Sequence, residues 1–202
     1  MEIGVSEKFE KVKENMSIIK DQVKRGSKLV SNIRKLSKLE EEKISIKKVE
    51  SCTILKKSIS YVKNAYQDRD ITIQVESVAK ELYIKANELL GDLFENILIN
   101  AIKYHESPIV EILIKISREK KEEINYLKME FIDKGIGIED SRKKFVFQRG
   151  YNDGETVHGM GLGLSLVQKI IDNYEGKIWV EDRVYGDYTK GSNFIILIPE
   201  VL

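Results

Sequence analysis

The chain has 202 residues, enough for one ordinary hydrophobic core with an appendage or for two small domains. Its 34 basic and 33 acidic residues leave a net charge of +1, which excludes the electrostatic footprint of a nucleic-acid binder. The single cysteine, Cys52, excludes an internal disulfide and suits a reducing compartment. With no apolar run of membrane-spanning length and no hydrophobic leader in residues 1–10, the chain reads as cytoplasmic, without membrane contact of its own; a membrane-anchored parent is compatible with its abrupt helical start.

Residues 6–43 are charged, nearly glycine-free and periodic. Phe9, Val12, Met16, Ile19, Val23, Gly26, Val30 and Ile33 form a heptad seam, and Leu29, Leu36 and Leu39 widen it to a bundle-like face. At 1.5 Å per residue the predicted helix runs about 55 Å, more than a small domain can cover, so the seam asks for a partner helix. A solvated connector is the alternative. After a short extended stretch at residues 44–46, the pattern predicts a helix over 51–66, and then Ile71, Ile73 and Val75 alternate with polar residues as a strand. Residues 86–104 have helical periodicity and are apolar over most of the circumference, which predicts a buried helix. Strands are expected at 109–117 and 124–132, joined by the charged turn 118–123 as a hairpin. Ten of the thirteen glycines lie between Gly135 and Gly191, and the stretch 135–163 shows little regular pattern. An amphipathic helix over 162–174 and strands at 177–182 and 192–199 complete the chain. Helices interleaved with hairpins predict an α+β fold with a mixed sheet and helices on one face.

Three features carry chemistry. Asn96 and Asn100 lie four apart on the buried helix and project from one face. Their amide oxygens suit magnesium, and Lys103, one turn on, can approach the same phosphates; two asparagines satisfied by nearby backbone are the alternative. Asp133, at a strand end before Lys134, Gly135, Ile136, Gly137 and Ile138, can accept a hydrogen bond from an exocyclic amine, while the glycines let a flat base approach; a plain turn has the same letters. Gly159, Gly161 and Gly163, interleaved with Met160, Leu162 and Leu164, open a helix with free N–H groups at its positive end, a means of gripping polyphosphate. Neither a Walker loop nor a dinucleotide loop has this spacing.

Taken in order, the segments 95–104, 133–138, 145–151 and 158–166 closely resemble the boxes of sensor histidine kinases, and Lys190, Gly191, Ser192, Asn193 and Phe194 resemble their last glycine-rich box. The resemblance implies the ATP-binding fold shared by gyrase-type ATPases, heat-shock chaperones and histidine kinases: a two-layer α/β sandwich with a mobile ATP lid, here preceded by a long N-terminal helix. It implies ATP and Mg2+ as cofactors. Asn100 then holds magnesium, Asn96 and Lys103 meet the phosphates, and Asp133 reads the adenine amino group. Gly135 and Gly137 admit the base, Arg149 and His158 contact phosphate from the lid, and Gly159, Gly161 and Gly163 support its hinge. Tyr104, Ile138, Met160, Leu162, Leu164 and Ser192 belong to the nucleotide-contacting boxes. Glu95 and Asn96 are the catalytic candidates, although Glu95, one residue off the asparagine face, is also readable as a surface carboxylate. The lid, 139–159, is expected to have Phe145 and Phe147 packed down as a clasp and to become ordered on nucleotide binding.

The implied organisation is residues 1–46 as the second helix of a dimerisation hairpin and residues 47–202 as the catalytic domain. The implied partners are a histidine-bearing dimerisation domain, a response regulator and a second copy of the parent. The two histidines, His105 and His158, do not stand where the family places its phosphoacceptor, so phosphate is expected to go to a histidine elsewhere. A serine kinase of the anti-sigma type or a plain ATPase on the same fold, and a degenerate non-enzymatic binding module, are the competing readings.

Overall fold

The computed structural model describes residues 3–41, 45–149 and 161–201. Helix α1 (Ile3–Glu41) is followed by strand β1 (Lys47–Glu50) and helix α2 (Ser51–Ala65). The Glu50 carboxylate caps α2 by accepting from the Cys52 and Thr53 amides at 2.8 and 2.6 Å. Strands β2 (Asp70–Ser77) and β3 (Tyr83–Ala86) lead to helix α3 (Leu90–Lys103), and β4 (Ile109–Lys121) and β5 (Ile124–Asp133) form the expected hairpin. Short α4 (Asp140–Lys143), α5 (Gly163–Asn173), β6 (Lys177–Val184) and β7 (Asp187–Pro199) close the chain.

Five strands in the order β2-β4-β5-β7-β6 form a mixed sheet: β2 is parallel to β4, and all other neighbours are antiparallel. β1 and β3 make a separate antiparallel pair. The sheet's period-2 pattern supplies one apolar face, with Ile114, Phe131, Phe194 and Val180 in a single cross-strand row. On that face lie the buried stripes of α3 and α5, including Phe94, Ile97, Leu98, Leu166, Val167 and Ile170; Phe94 meets Phe131 at 6.1 Å between ring centroids. The expected α+β sandwich with helices on one face is what folds.

Several boundaries differ from the sequence expectation. The first extended stretch falls at Lys47–Glu50 rather than 44–46, with residue 44 outside the described residues. Ala86 belongs to β3, and α3 begins only at Leu90, because Asn87 turns the chain: its Oδ1 accepts the Leu89 amide at 2.9 Å and the Tyr174 hydroxyl at 2.6 Å. The β4–β5 strands run to Lys121 and from Ile124, since Glu122 adopts φ 54° and allows a tight turn. β7 starts at Asp187, five residues early, where Gly186 (φ 77°) reverses the chain. The α1 seam is exposed at Phe9, Val12, Met16, Ile19, Val23, Val30 and Ile33, whereas Asn32, Leu36 and Leu39, on the neighbouring face, are buried.

Candidate functional site

The alternation that builds the core also places Asp133. In β5, Leu127, Met129, Phe131 and Asp133 succeed one another on the helix-facing side, so the strand delivers a carboxylate to the end of an apolar row. Asp133 is 5% exposed. Its Oδ1 accepts the Gly135 amide at 2.8 Å and the Ser192 amide at 3.3 Å, leaving the second oxygen without a protein donor among the described residues. Burial raises its pKa to about 6, against the lowering influence of those two amides and of Arg183. A desolvated acceptor of this kind rewards a donor that arrives from outside.

The loop after Asp133 is threaded between two segments. Ile136 donates its amide to the Tyr104 carbonyl at 3.0 Å, which ties the loop to the end of α3. A side chain on Gly135 would stand 2.6 Å from that same carbonyl. Gly137 has φ 72°, and a Cβ there would lie 1.6 Å from the Tyr188 carbonyl, so nothing larger fits. Ile138 is half-buried against the core. Ser192 is 5% exposed and follows Gly191 (φ 111°), whose missing side chain admits the Asp133 carbonyl.

Along α3, Asn96, Asn100 and Lys103 follow at one-turn intervals, ending at Tyr104 beside the Asp133 loop. Asn96 is buried and donates from Nδ2 to the Asp92 carbonyl at 2.7 Å; this is the backbone partner that sequence reasoning weighed as the alternative, yet it leaves Oδ1 available. That Oδ1 faces the start of α5, where a Cβ on Gly163 would stand 3.0 Å away. The Asn100 amide is half-buried and makes no hydrogen bond among the described residues. Burial, then Arg25, lowers the Lys103 pKa. Glu95 is half-buried rather than free at the surface, and burial followed by Asp92 raises its pKa. From Asn96 to Tyr104 is about 12 Å of helix. The structure thus brings Asn96, Asn100, Lys103, Tyr104, Asp133, Gly135, Gly137, Ile138, Gly163 and Ser192 to one connected strip.

The remaining predicted residues divide into two groups. Gly161 (φ 62°) offers its carbonyl to the Ser165 hydroxyl at 3.3 Å, and Leu162 and Leu164 pack partly into the core, so they seat the start of α5. His158, Gly159 and Met160, with most of the expected lid, lie outside the described residues. Arg149 is exposed and makes no ion pair among the described residues. Of the expected aromatic clasp, Phe147 packs edge-on against Phe194 at 6.1 Å and Val146 joins it, and the partly buried Phe145 ring lies under the Lys144 ammonium. Tyr188, Arg183 and Asp92 were missed by sequence reasoning. The first two sit in a hairpin whose extent no local signal revealed, and Asp92 acts through its backbone and a pairing with distant Lys35.

Comparison with known proteins adds a family. The profile of the histidine kinase-, DNA gyrase B- and HSP90-like ATPases (HATPase_c) matches residues 85–202, more than half of the chain. The chain belongs to this family. Sensor protein SrrB of Staphylococcus aureus (strain MRSA252) is 28% identical to this ATPase-family chain over 204 residues, covering 98% of the chain and 33% of SrrB. The chain therefore spans about a third of the length of the curated relatives it matches. Among solved structures, the mycobacterial sensor histidine kinase MprB superposes with a TM-score of 0.65 at 20% identity, over 77% of this chain and 97% of that one. Full-length ShkA in complex with AMPPNP gives 0.69 at 20% identity, over 86% and 35%. ThkA in complex with the response regulator TrrA gives 0.67 at 19% identity, over 89% and 49%. These likenesses show the fold of a histidine kinase catalytic domain.

Proposed function

We propose that the chain binds Mg-ATP along the α3 strip and transfers the γ-phosphoryl group to a histidine on a dimerisation hairpin, feeding a response regulator. The observation that carries this reading is Asp133: buried, fixed through one oxygen, and open on the other at the end of a helix face bearing Asn96, Asn100 and Lys103. An exocyclic amine supplies what the second oxygen lacks. Asn96 and Lys103 meet the phosphates, with Arg149, His158, Gly159 and Met160 assigned to the lid. Glu95, its pKa raised by burial and Asp92, takes the imidazole proton as the nitrogen attacks phosphorus and ADP leaves with the bonding pair. Relatives support the class: SrrB is a sensor protein, ShkA was solved with AMPPNP, and ThkA with a response regulator. Residues 1–46 are assigned to the dimerising helix and residues 47–202 to catalysis, and the exposed seam of α1 supports a homodimeric parent.

The donor set fits magnesium. No cluster of three or more His, Cys, Asp or Glu side chains capable of a protein-only cage occurs among the described residues, and a half-buried amide oxygen at Asn100 suits a cation carried in by phosphates. When bound, the metal neutralises charge on the triphosphate. His105 is 8% exposed with both ring nitrogens buried, so it presents no nucleophile in this conformation.

ATP affinity measured with and without magnesium for the wild type, Asn100→Ala and Asn100→Asp tests the site. The wild type is expected to gain from the metal and Asn100→Ala to lose most of that gain; equal behaviour of all three removes the assignment. Incubation with labelled ATP and a separately supplied histidine-bearing hairpin tests the reaction, with acid-labile product expected. An acid-stable product would instead favour the serine kinase, and release of free phosphate alone would favour the ATPase.

A further inference from the structure

The β6–β7 pair departs from regular pairing beside Asp133. Its register runs from Lys177↔Leu197 to Asp182↔Ser192 and then jumps to Val184↔Asp187, so that Arg183 by itself faces residues 188–191. β5 pairs with β7 only from Asn193 onward, which leaves residues 188–191 as a strap outside both ladders. The Asp133 loop closes against this strap. A Cβ on Gly137 would lie 1.6 Å from the Tyr188 carbonyl, and one on Gly191 would lie 2.1 Å from the Asp133 carbonyl and 2.9 Å from the Lys134 Cα. Asp187 and Arg183 hold the strap in shape. Asp187 Oδ1 accepts the Thr189 amide at 3.1 Å and its hydroxyl at 2.6 Å, and Arg183 donates from Nε to the Lys190 carbonyl at 2.5 Å. Lys190 leads through Gly191 to Ser192, whose amide donates to Asp133 Oδ1 at 3.3 Å, so the strap carries the Arg183 tie to the carboxylate.

We propose that Arg183 is a positioning residue for base recognition: it fastens the strap that seats Asp133 and keeps the open carboxylate oxygen free of a proton, so that a base with an exocyclic amine can donate to it. This rests on the ATP reading above. Because Oδ1 already accepts the Gly135 and Ser192 amides, a proton on Asp133 goes to Oδ2 and turns the open acceptor into a donor, which an amine cannot pair with. The ionisation of Asp133 then decides whether the site reads the base. Lys134 beside it pairs with Glu111 of β4, Asp182 of β6 pairs with Lys143, Asp187 of β7 is turned onto Thr189, and Lys103 and His105 stand at the end of α3. The charged side chain that bears on Asp133 is Arg183. Burial pushes the Asp133 carboxyl up to about 6, and Arg183 opposes that rise. Arg183 is exposed, so water screens its charge and its influence is modest.

Two measurements on the full chain, in the wild type, Arg183→Gln and Arg183→Lys, test this role. Carbon-13 NMR of the Asp133 carboxyl without nucleotide follows the proton itself: Arg183→Gln is expected to titrate at higher pH than the wild type, and Arg183→Lys to stay near it. Calorimetry with Mg-ATP and with adenosine at pH 6 and pH 8 follows the consequence. Arg183→Gln is expected to bind both ligands about threefold more weakly than the wild type at pH 6 and to match it at pH 8, and Arg183→Lys to recover most of the loss. Equal loss for the two ligands marks the base; a loss confined to Mg-ATP would make Arg183 a phosphate contact and overturn the proposal. So would an unchanged Asp133 titration in Arg183→Gln, or a loss of one size at both pH values, which a merely loosened strap would give. Each of these leaves the ATP site standing. A wild type that binds neither ligand removes the ATP reading itself, and this inference with it.

Discussion

At the scale of single residues, the site is a set of polar groups held at the margin of an apolar core, and Asp133 shows what that costs. Its carboxyl ionises near 6 when folded, against an ordinary 3.8, because burial disfavours the charge. Below about pH 4 the group is protonated both folded and unfolded and has no effect. As pH rises from 4 to 6, the unfolded chain releases a proton that the folded chain retains, and stability falls, by about 3 kcal/mol once both forms are ionised. Asp133→Asn, which keeps the Oδ1 acceptor for Gly135 and Ser192, is therefore expected to be more stable than the nucleotide-free wild type above pH 6 and equal to it near pH 4. Urea unfolding from pH 4 to pH 8 measures the difference, and a flat difference would contradict this account. The candidate residues Asp133, Asn96 and Asn100 were legible in sequence because spacing fixes which face they share. Tyr188 was not legible: its carbonyl matters only because Gly137 passes against it.

At the scale of elements, long periodic segments were readable and short or bent ones were not. α3 and the β4–β5 hairpin carry their own apolar periodicity, while β3 has four residues and exists because β1 pairs with it across a distance in sequence. The docking of α1 is a similar non-local decision. Leu36 and Leu39, each 5% exposed, bury against the rest of the fold, although the heptad seam beside them stays exposed through Val30 and Ile33. Leu36→Ala is expected to weaken this docking by about 2–3 kcal/mol. Amide hydrogen exchange is then expected to quicken by at least about tenfold across residues 28–39, while β4, β5 and β7 keep wild-type protection. Equal acceleration in the sheet would mean that α1 is part of the global folding unit instead.

At the scale of the whole molecule, α1 is asked to serve two surfaces. One face, with Leu36 and Leu39, docks beside α5, and the heptad seam exposes Phe9, Val12, Met16, Ile19, Val23, Val30 and Ile33. A contiguous apolar stripe of this length is costly in water, and a second helix covers it most simply. Sedimentation of the full chain is expected to show a concentration-dependent dimer, which Met16→Glu with Ile19→Glu reduces to monomer without lowering the unfolding temperature of the catalytic layer. A wild type that stays monomeric at high concentration would assign the stripe to a different partner.

Spacing alone determined the α+β class, the buried asparagine helix, the carboxylate at the end of β5 and the heptad helix, because each is a statement about which residues share a face of one local element. Tertiary structure decided the rest. It brought Gly163 to Asn96 and Tyr188 to Gly137, and it buried Leu36 and Leu39 of α1 while leaving the neighbouring heptad seam exposed. Those outcomes depend on packing between segments far apart in the chain, where burial and charge are set by neighbours that no local period encodes.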